Sequence, residues 1–214
     1  MIKKIDDEKD IDAIFDLASK YHTGDGVEQD YEKAIELYES IADKDSVAAH
    51  NLALIYCGAY GENKEYFNKG ISLFIENSEK SYGPSCAELM KLMILGFNIE
   101  QTHSGALYYL QKCIEVKHYK AIDDYYRVVA IASNIGLNID DAIRVLEPDS
   151  ARAISVEKQI IKDRTPPSAS WRIKGQALLE HNGRKIDEIE VEFDNDDPEV
   201  IYYFDISNAF SGDE

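Results

Sequence analysis

The sequence is short of positive charge. Its 214 residues hold 23 Lys and Arg against 41 Asp and Glu, a formal net charge of −18. Recognition of nucleic acid draws its affinity from clustered Lys and Arg that displace counterions from phosphates, so this composition argues against a nucleic-acid partner. An anionic membrane surface would repel the chain for the same reason. Long apolar runs are lacking too: Val128-Val129-Ala130-Ile131-Ala132 ends at Ser133-Asn134, well below the ~18–20 apolar residues of a membrane span. The first residues, MIKKIDDEKDID, show no apolar stretch of ~7–15 residues after the basic pair, so no secretory leader is expected.

Cysteine is scarce. Cys57, Cys86 and Cys113 form an odd set without a CxxC pair. They read as reduced thiols acting as small apolar side chains, which makes the cytoplasm the expected location. The five histidines make no HExxH or HxH pattern, and a zinc site needs closer ligand spacing. Catalytic signatures are missing as well: there is no GxSxG, GxxxxGK[ST] or GxGxxG. Gly24-Asp25-Gly26 follows a helical pattern rather than a strand, so it is no phosphate loop. Asp123-Asp124 and Asp140-Asp141 read as exposed helix-end charges. The expectation is therefore no enzyme, with no catalytic residue, no metal and no cofactor.

What is present is a core and a period. Hydrophobic residues make up 44% of the chain, close to the ~45–50% of globular proteins. Ala34-Ile35-Glu36-Leu37-Tyr38 is followed at intervals of 36 residues by Gly70-Ile71-Ser72-Leu73-Phe74, Ala106-Leu107-Tyr108-Tyr109-Leu110 and Ala142-Ile143-Arg144-Val145-Leu146. Each has the form small, aliphatic, polar or Tyr, apolar, apolar, which turns one helix face inward. The small residue suits close helix approach. A second stripe precedes each of these: Ala13, Leu17, Ala18 and Tyr21; Ala49, Leu52, Ala53 and Tyr56; Cys86, Leu89, Met93 and Ile94; Ile122, Tyr125, Tyr126 and Val129. Glycine-bearing turns such as Thr23-Gly24-Asp25-Gly26 separate the stripes. The pattern predicts four helix–turn–helix units of about 36 residues, each needing its neighbours to bury its apolar face. Their concave face is expected to be lined mainly by the first helix of each unit.

The first unit resembles a Sel-one-like repeat, a relative of the tetratricopeptide repeat. The matching positions are Leu17, Tyr21, Gly24-Asp25-Gly26-Val27, Asp30, Lys33-Ala34, Ala42 and Ala49. The second unit has Lys69-Gly70 in place of Lys-Ala, and the third keeps Ala106-Leu107, Lys112, His118 and Ala121. The resemblance runs over about residues 11–147. It implies an α-solenoid of stacked hairpins with adaptor or complex-assembly roles rather than catalysis.

Pro148 with Asp149 or Ser150 marks the start of a further amphipathic stretch ending near Arg164, expected to cap the last repeat. At Thr165-Pro166-Pro167 the period changes from 3.6 to 2. Asn182-Gly183 is a two-residue hairpin signal, and the returning strand alternates Ile189, Val191 and Phe193 with Glu188, Glu190 and Glu192. Val200 to Ile206 is apolar on both faces and reads as a third strand that is either central or buried in an interface. The expected layout is a solenoid over 1–164 and a small antiparallel β meander over 165–214.

That tail concentrates the charge. From Ile186 to Glu214 there are eleven acids and no Lys or Arg. Glu188, Glu190, Glu192, Asp194, Asp196 and Asp197 are the candidate partner-binding residues, expected to meet an electropositive protein. A calcium site at Asp194-Asn195-Asp196-Asp197 is a weaker third reading, since the loop lacks the Gly and the distant bidentate Glu of an EF-hand loop. Tyrosine is abundant, 14 residues, and Tyr108, Tyr119 and Tyr202 or Tyr203 are candidates for exposed interface anchors. The functional expectation is a protein-binding module, most concretely an immunity-type neutraliser of a basic toxin or nuclease. The alternatives are a cytosolic adaptor or scaffold in a signalling or secretion complex, and an enzyme with an unrecognised site.

Overall fold

The computed structural model describes residues 8–132, 135–147, 149–194 and 198–210. The chain divides into two compact units: residues 1–100 with 106–121, and residues 101–105 with 122–214.

The first unit is helical. α1 (Glu8–Thr23), α2 (Tyr31–Glu39), α3 (Ser46–Cys57), α4 (Lys64–Glu79) and α5 (Gly83–Leu95) follow one another, and each packs on the next. α6 (His103–Glu115) begins in the second unit and runs on in the first. Side chains of the expected type open the helices. Asp30 accepts from Lys33 N at 3.0 Å. Asp45 accepts from Val47 N and Ala48 N at 2.7 and 2.9 Å, and Asn63 accepts from Glu65 N at 2.9 Å. α5 carries Pro84 in its first turn, where a missing N–H leaves no bond unmade. The repeat turn after α1 works because Gly24 and Gly26 both hold left-handed φ, 78° and 75°.

The 36-residue period marks packing contacts. Ala34, Gly70 and Ala106 are all buried. At Gly70 a Cβ would stand 2.5 Å from Cys57 Sγ and 2.9 Å from Ala53 O, so α3 and α4 meet where a side chain is missing. Ala18, Ala34, Tyr38, Ile41, Ala48, Leu52, Ile55 and Tyr56 form the core of the first hairpins. In α1, Ala13 and Leu17 of the expected stripe are exposed, while Ile14, Ala18 and Tyr21 face inward.

The second unit combines helices and a sheet. α7 (Lys120–Ile131) leads through a 3-10 turn, Ile139–Asp141, into β1 (Ile143–Arg144). α8 (Ser150–Arg164) follows, capped by Asp149, whose side chain accepts from Arg152 N; Pro148, part of the expected start signal, lies outside the described residues. Then come β2 (Trp171–His181), β3 (Arg184–Phe193), β4 (Val200–Asp205) and a closing 3-10 turn, Ser207–Phe210. The sheet order is β1-β4-β3-β2. β2 and β3 form the expected hairpin, with Asn182 and Gly183 at φ 53° and 75°. β4 is central, one of the two placements its apolar faces predict.

Two features depart from the sequence reading. Residues 142–146 are not the second helix of a fourth repeat: Ile143 and Arg144 form β1, which runs parallel to β4 opposite Phe204 and Asp205. The three-stranded antiparallel meander is thereby extended into a mixed four-stranded sheet. The reason lies in backbone donors. Val145 N donates to Asp205 O at 2.8 Å, while Arg144 N and Leu146 N donate to the hydroxyls of Tyr125 and Tyr126 on α7, at 2.9 and 2.6 Å. Alternate N–H groups thus find partners on opposite sides, which an extended chain allows and a helix does not.

Candidate protein-binding sites

A groove lies among the first hairpins, with a volume of about 670 Å³. α3, the first helix of the second repeat, supplies its floor through Leu52 and Tyr56; α2 and α4 supply the walls. Leu73 and Ala42 extend the apolar lining, and Glu39, Glu65 and Glu76 stand on it with Lys69. Tyr56 donates its hydroxyl proton to Glu39 Oε1 at 2.6 Å, stacks on Tyr66 with centroids 5.5 Å apart, and is thereby fixed in the floor. Burial, with Glu39 beside it, holds the Tyr56 phenol far above its ordinary pKa, so the ring stays neutral. Lys69 is engaged, 3.2 Å from Glu65 and over the Tyr66 ring at 5.2 Å. An apolar floor under a net-acidic rim fits a basic amphipathic segment.

The acidic strand face forms as its alternation requires, and part of it is neutralised internally. Glu188, Glu190 and Glu192 share the β3 face away from Ile189 and Val191. Glu190 meets Lys174 at 3.1 Å, Lys174 also meets Glu199 at 2.7 Å, and Arg172 pairs with Glu192. Glu188 lies opposite Tyr203. Asp194 is exposed and accepts from Ser170 N at 2.9 Å, closing the β2–β3 pair at the end opposite its turn. Asp196 and Asp197 lie outside the described residues. The cations on β2 were the signal missed: read with β3, they pair across the strands. Over residues 165–214 twelve acids still face four Lys and Arg.

Of the candidate anchor tyrosines, Tyr108 and Tyr119 are 55% and 58% exposed, and Tyr202 is buried beneath Arg164. Sequence reasoning also passed over a buried acid pair, Glu157 on α8 and Asp187 on β3. Burial first, and the neighbouring Asp187 second, push the Glu157 carboxyl up to about 8. Among the described residues no helix is long and apolar enough to cross a membrane, and no group of three or more His, Cys, Asp or Glu is placed to hold a metal ion.

Paired helices with a glycine turn, an Asp cap, an inward small residue and an apolar stripe shared with the next pair define a helical-hairpin repeat protein. The repeat they resemble is Sel1: residues 11–46 and 46–74 match the Sel1 repeat. Sel1 repeats are protein-interaction modules. Protein sel-1 homolog 2 of Mus musculus and of Rattus norvegicus are each 32% identical over 98 residues, 45% of this chain and 13% of theirs. The chain thus spans about an eighth of the length of these relatives. Among solved structures, a Sel1 repeat protein from Oxalobacter formigenes has a TM-score of 0.49 at 24% identity, covering 71% of this chain and 58% of that one. The protein c5321, a protective antigen of uropathogenic Escherichia coli with an SLR fold, has a TM-score of 0.45 at 19% identity, covering 72% and 36%.

Proposed function

We propose that this chain is a non-catalytic binding module that neutralises a basic protein, a toxin or nuclease, in the manner of an immunity protein. The observation that carries this reading is the Sel1 groove, where three glutamates and one lysine surround an apolar floor. The acid excess of the β tail steers a basic partner toward the chain, and Glu188, Glu190, Glu192 and Asp194 supply its described surface. Asp196 and Asp197 add charge two and three positions further along the sequence. Complementary fields of this kind raise association rates and weaken with salt.

The test is calorimetric titration with the basic product of the neighbouring gene. A 1:1 complex is expected, with affinity falling at least about tenfold as salt rises from about 0.1 M to about 1 M. Leu73→Arg and Glu76→Lys in the groove are expected to weaken it, and Glu188→Lys chiefly to slow association. Binding that ignores both salt and these substitutions would sink the proposal.

A further inference from the structure

The second unit holds a cavity of about 270 Å³ beside α8. That is below the ~300–1,000 Å³ of small-molecule sites. Its lining is apolar on the outside: Ile154 of α8 and Leu178 of β2 are 41% and 56% exposed. Ala153, Ile206 and Ala209 continue it inward. Glu157 and Asp187 complete the lining, only 1% and 5% exposed. Gln176 Nε2 donates to Asp187 Oδ2 at 2.5 Å. Glu157 has no such help: neither carboxyl oxygen receives a hydrogen bond from a donor among the described residues.

A buried carboxyl pair without a cation is expensive, because each charge is desolvated and the two repel. A shared proton relieves this in part, with Glu157 donating to Asp187. It leaves lone pairs on both groups unused. Position 157 belongs to the inward stripe of α8, with Ala153, Ile160 and Ile161, where an aliphatic side chain would pack without penalty. The acid is therefore unexplained by packing and faces a space of side-chain size.

We infer that this cavity is a pocket for one arginine side chain projected by a protein partner, its guanidinium set between Glu157 and Asp187 and its stem along Ile154 and Leu178. The inference deepens the reading of a basic partner given above and adds the residue that anchors it. Arginine fits better than the other cations. Its planar fork offers five donors to the unused lone pairs, and it is less strongly hydrated than an ammonium. A hard metal ion would want about six oxygen ligands, and the cavity offers too few. Seating the guanidinium expels the shared proton to solvent, so one cation is taken up as about one proton is released. The ionisable groups facing Glu157 are Asp187 from β3 and Lys158 on α8 itself. Gln176 of β2, and Ile206 and Ala209 after β4, bring none.

The probe is N-acetyl-arginine amide, titrated into the full chain and followed through the carboxyl carbon resonances of Glu157 and Asp187 and by calorimetry. Saturable binding is expected, with both resonances shifting, proton release, and tighter binding at pH 8.5 than at pH 7. The lysine analogue should bind more weakly. Glu157→Gln should raise Kd at least about tenfold, the worth of one charge-assisted hydrogen bond. Glu157→Leu, which removes the carboxyl and keeps the helix, should abolish binding. Unmoved resonances, equal binding by Glu157→Gln, an equal response to the uncharged norleucine analogue, or preference for a divalent metal ion would each overturn the pocket. The probe contains no partner. Silence here beside intact binding of a basic protein removes the pocket alone, and the converse removes the neutralising role alone.

Discussion

Arg164, the last residue of α8, closes the end of α7 by donating from Nη2 to the Val129 carbonyl at 2.5 Å. The same guanidinium reaches Ala132 O at 2.9 Å and Ile135 O at 2.7 Å. Carbonyls of the last turn have no partner within their own helix, and a cation there also meets the negative end of the helix dipole. Arg164→Leu strips several half-buried acceptors of a charged donor at once, and hydrogen bonds to charged groups contribute about 1.5–3 kcal/mol each. Urea denaturation is expected to show a loss of about 3 kcal/mol. A loss below about 1 kcal/mol would mean that water serves these carbonyls as well.

Gly70→Ala sets two effects against each other. Alanine is the better helix former by about 1 kcal/mol. Its Cβ would lie 2.9 Å from Ala53 O and 2.5 Å from Cys57 Sγ, so α3 and α4 must separate. Overpacking of this kind costs about 1–3 kcal/mol, and the expected net result is a lower Tm. An unchanged or higher Tm would show that α4 moves freely on α3.

Stability should peak near pH 6.5. Burial lowers His50 and His103 from 6.5 to about 4. The unfolded chain takes up these protons below pH 6.5 and the folded chain does not. Their contribution, on the order of 3 kcal/mol each, is therefore full above pH 6.5 and lost as pH falls toward 4. Glu157 acts in the opposite direction. Raised from 4.5 to about 8, it holds a proton that the unfolded chain has released. Its contribution is full below pH 4.5 and is lost as pH rises to 8. Unfolding free energy measured across this range should fall on both sides, and Glu157→Gln should flatten the alkaline side while steepening the acid side between pH 4.5 and 6.5. A curve rising steadily from pH 5 to 8.5 would refute the assignment.

Cys57 should be slow to react. Burial first, and Glu88 second, push its thiol up to about 12. At pH 8 only about one molecule in ten thousand carries the thiolate that attacks a disulfide reagent. Cys86 and Cys113 are buried. Labelling of the native protein should therefore be slow at all three and become fast in denaturant; rapid native labelling at Cys57 would contradict its surroundings.

Much of the repeat region was legible because its signals are local. Asp30 was a family position before it was a helix cap, and Lys33 proves to pair with it at 3.0 Å while lying over the Tyr21 ring at 5.1 Å. Asn182-Gly183 specified its turn outright. Residues 142–146 misled because five residues cannot separate a helical stripe from a strand. Ile143 and Val145 are buried, as either pattern would have them, and the deciding partners, Tyr125, Tyr126 and Asp205, are 19 to 60 positions away in the chain. The acid pair was half visible. Alternation along β3 puts Asp187 on the face of Ile189 and Val191, and Glu157 interrupts the stripe of α8. What no pattern shows is that the two misplaced acids meet.

The parallel pairing of β1 with β4 sets an order of events during synthesis. Ile143 must wait for Phe204, and every residue of α8, β2 and β3 leaves the ribosome in between. The helical hairpins of the first unit pack mainly on their neighbours and can form while translation continues. The full sheet cannot, since β4, which joins β1 to β3, is the last of its strands to emerge. Until then β3 offers Ile186, Ile189 and Val191 along an unpaired edge, so a nascent chain stalled before Val200 is the form most in need of a chaperone.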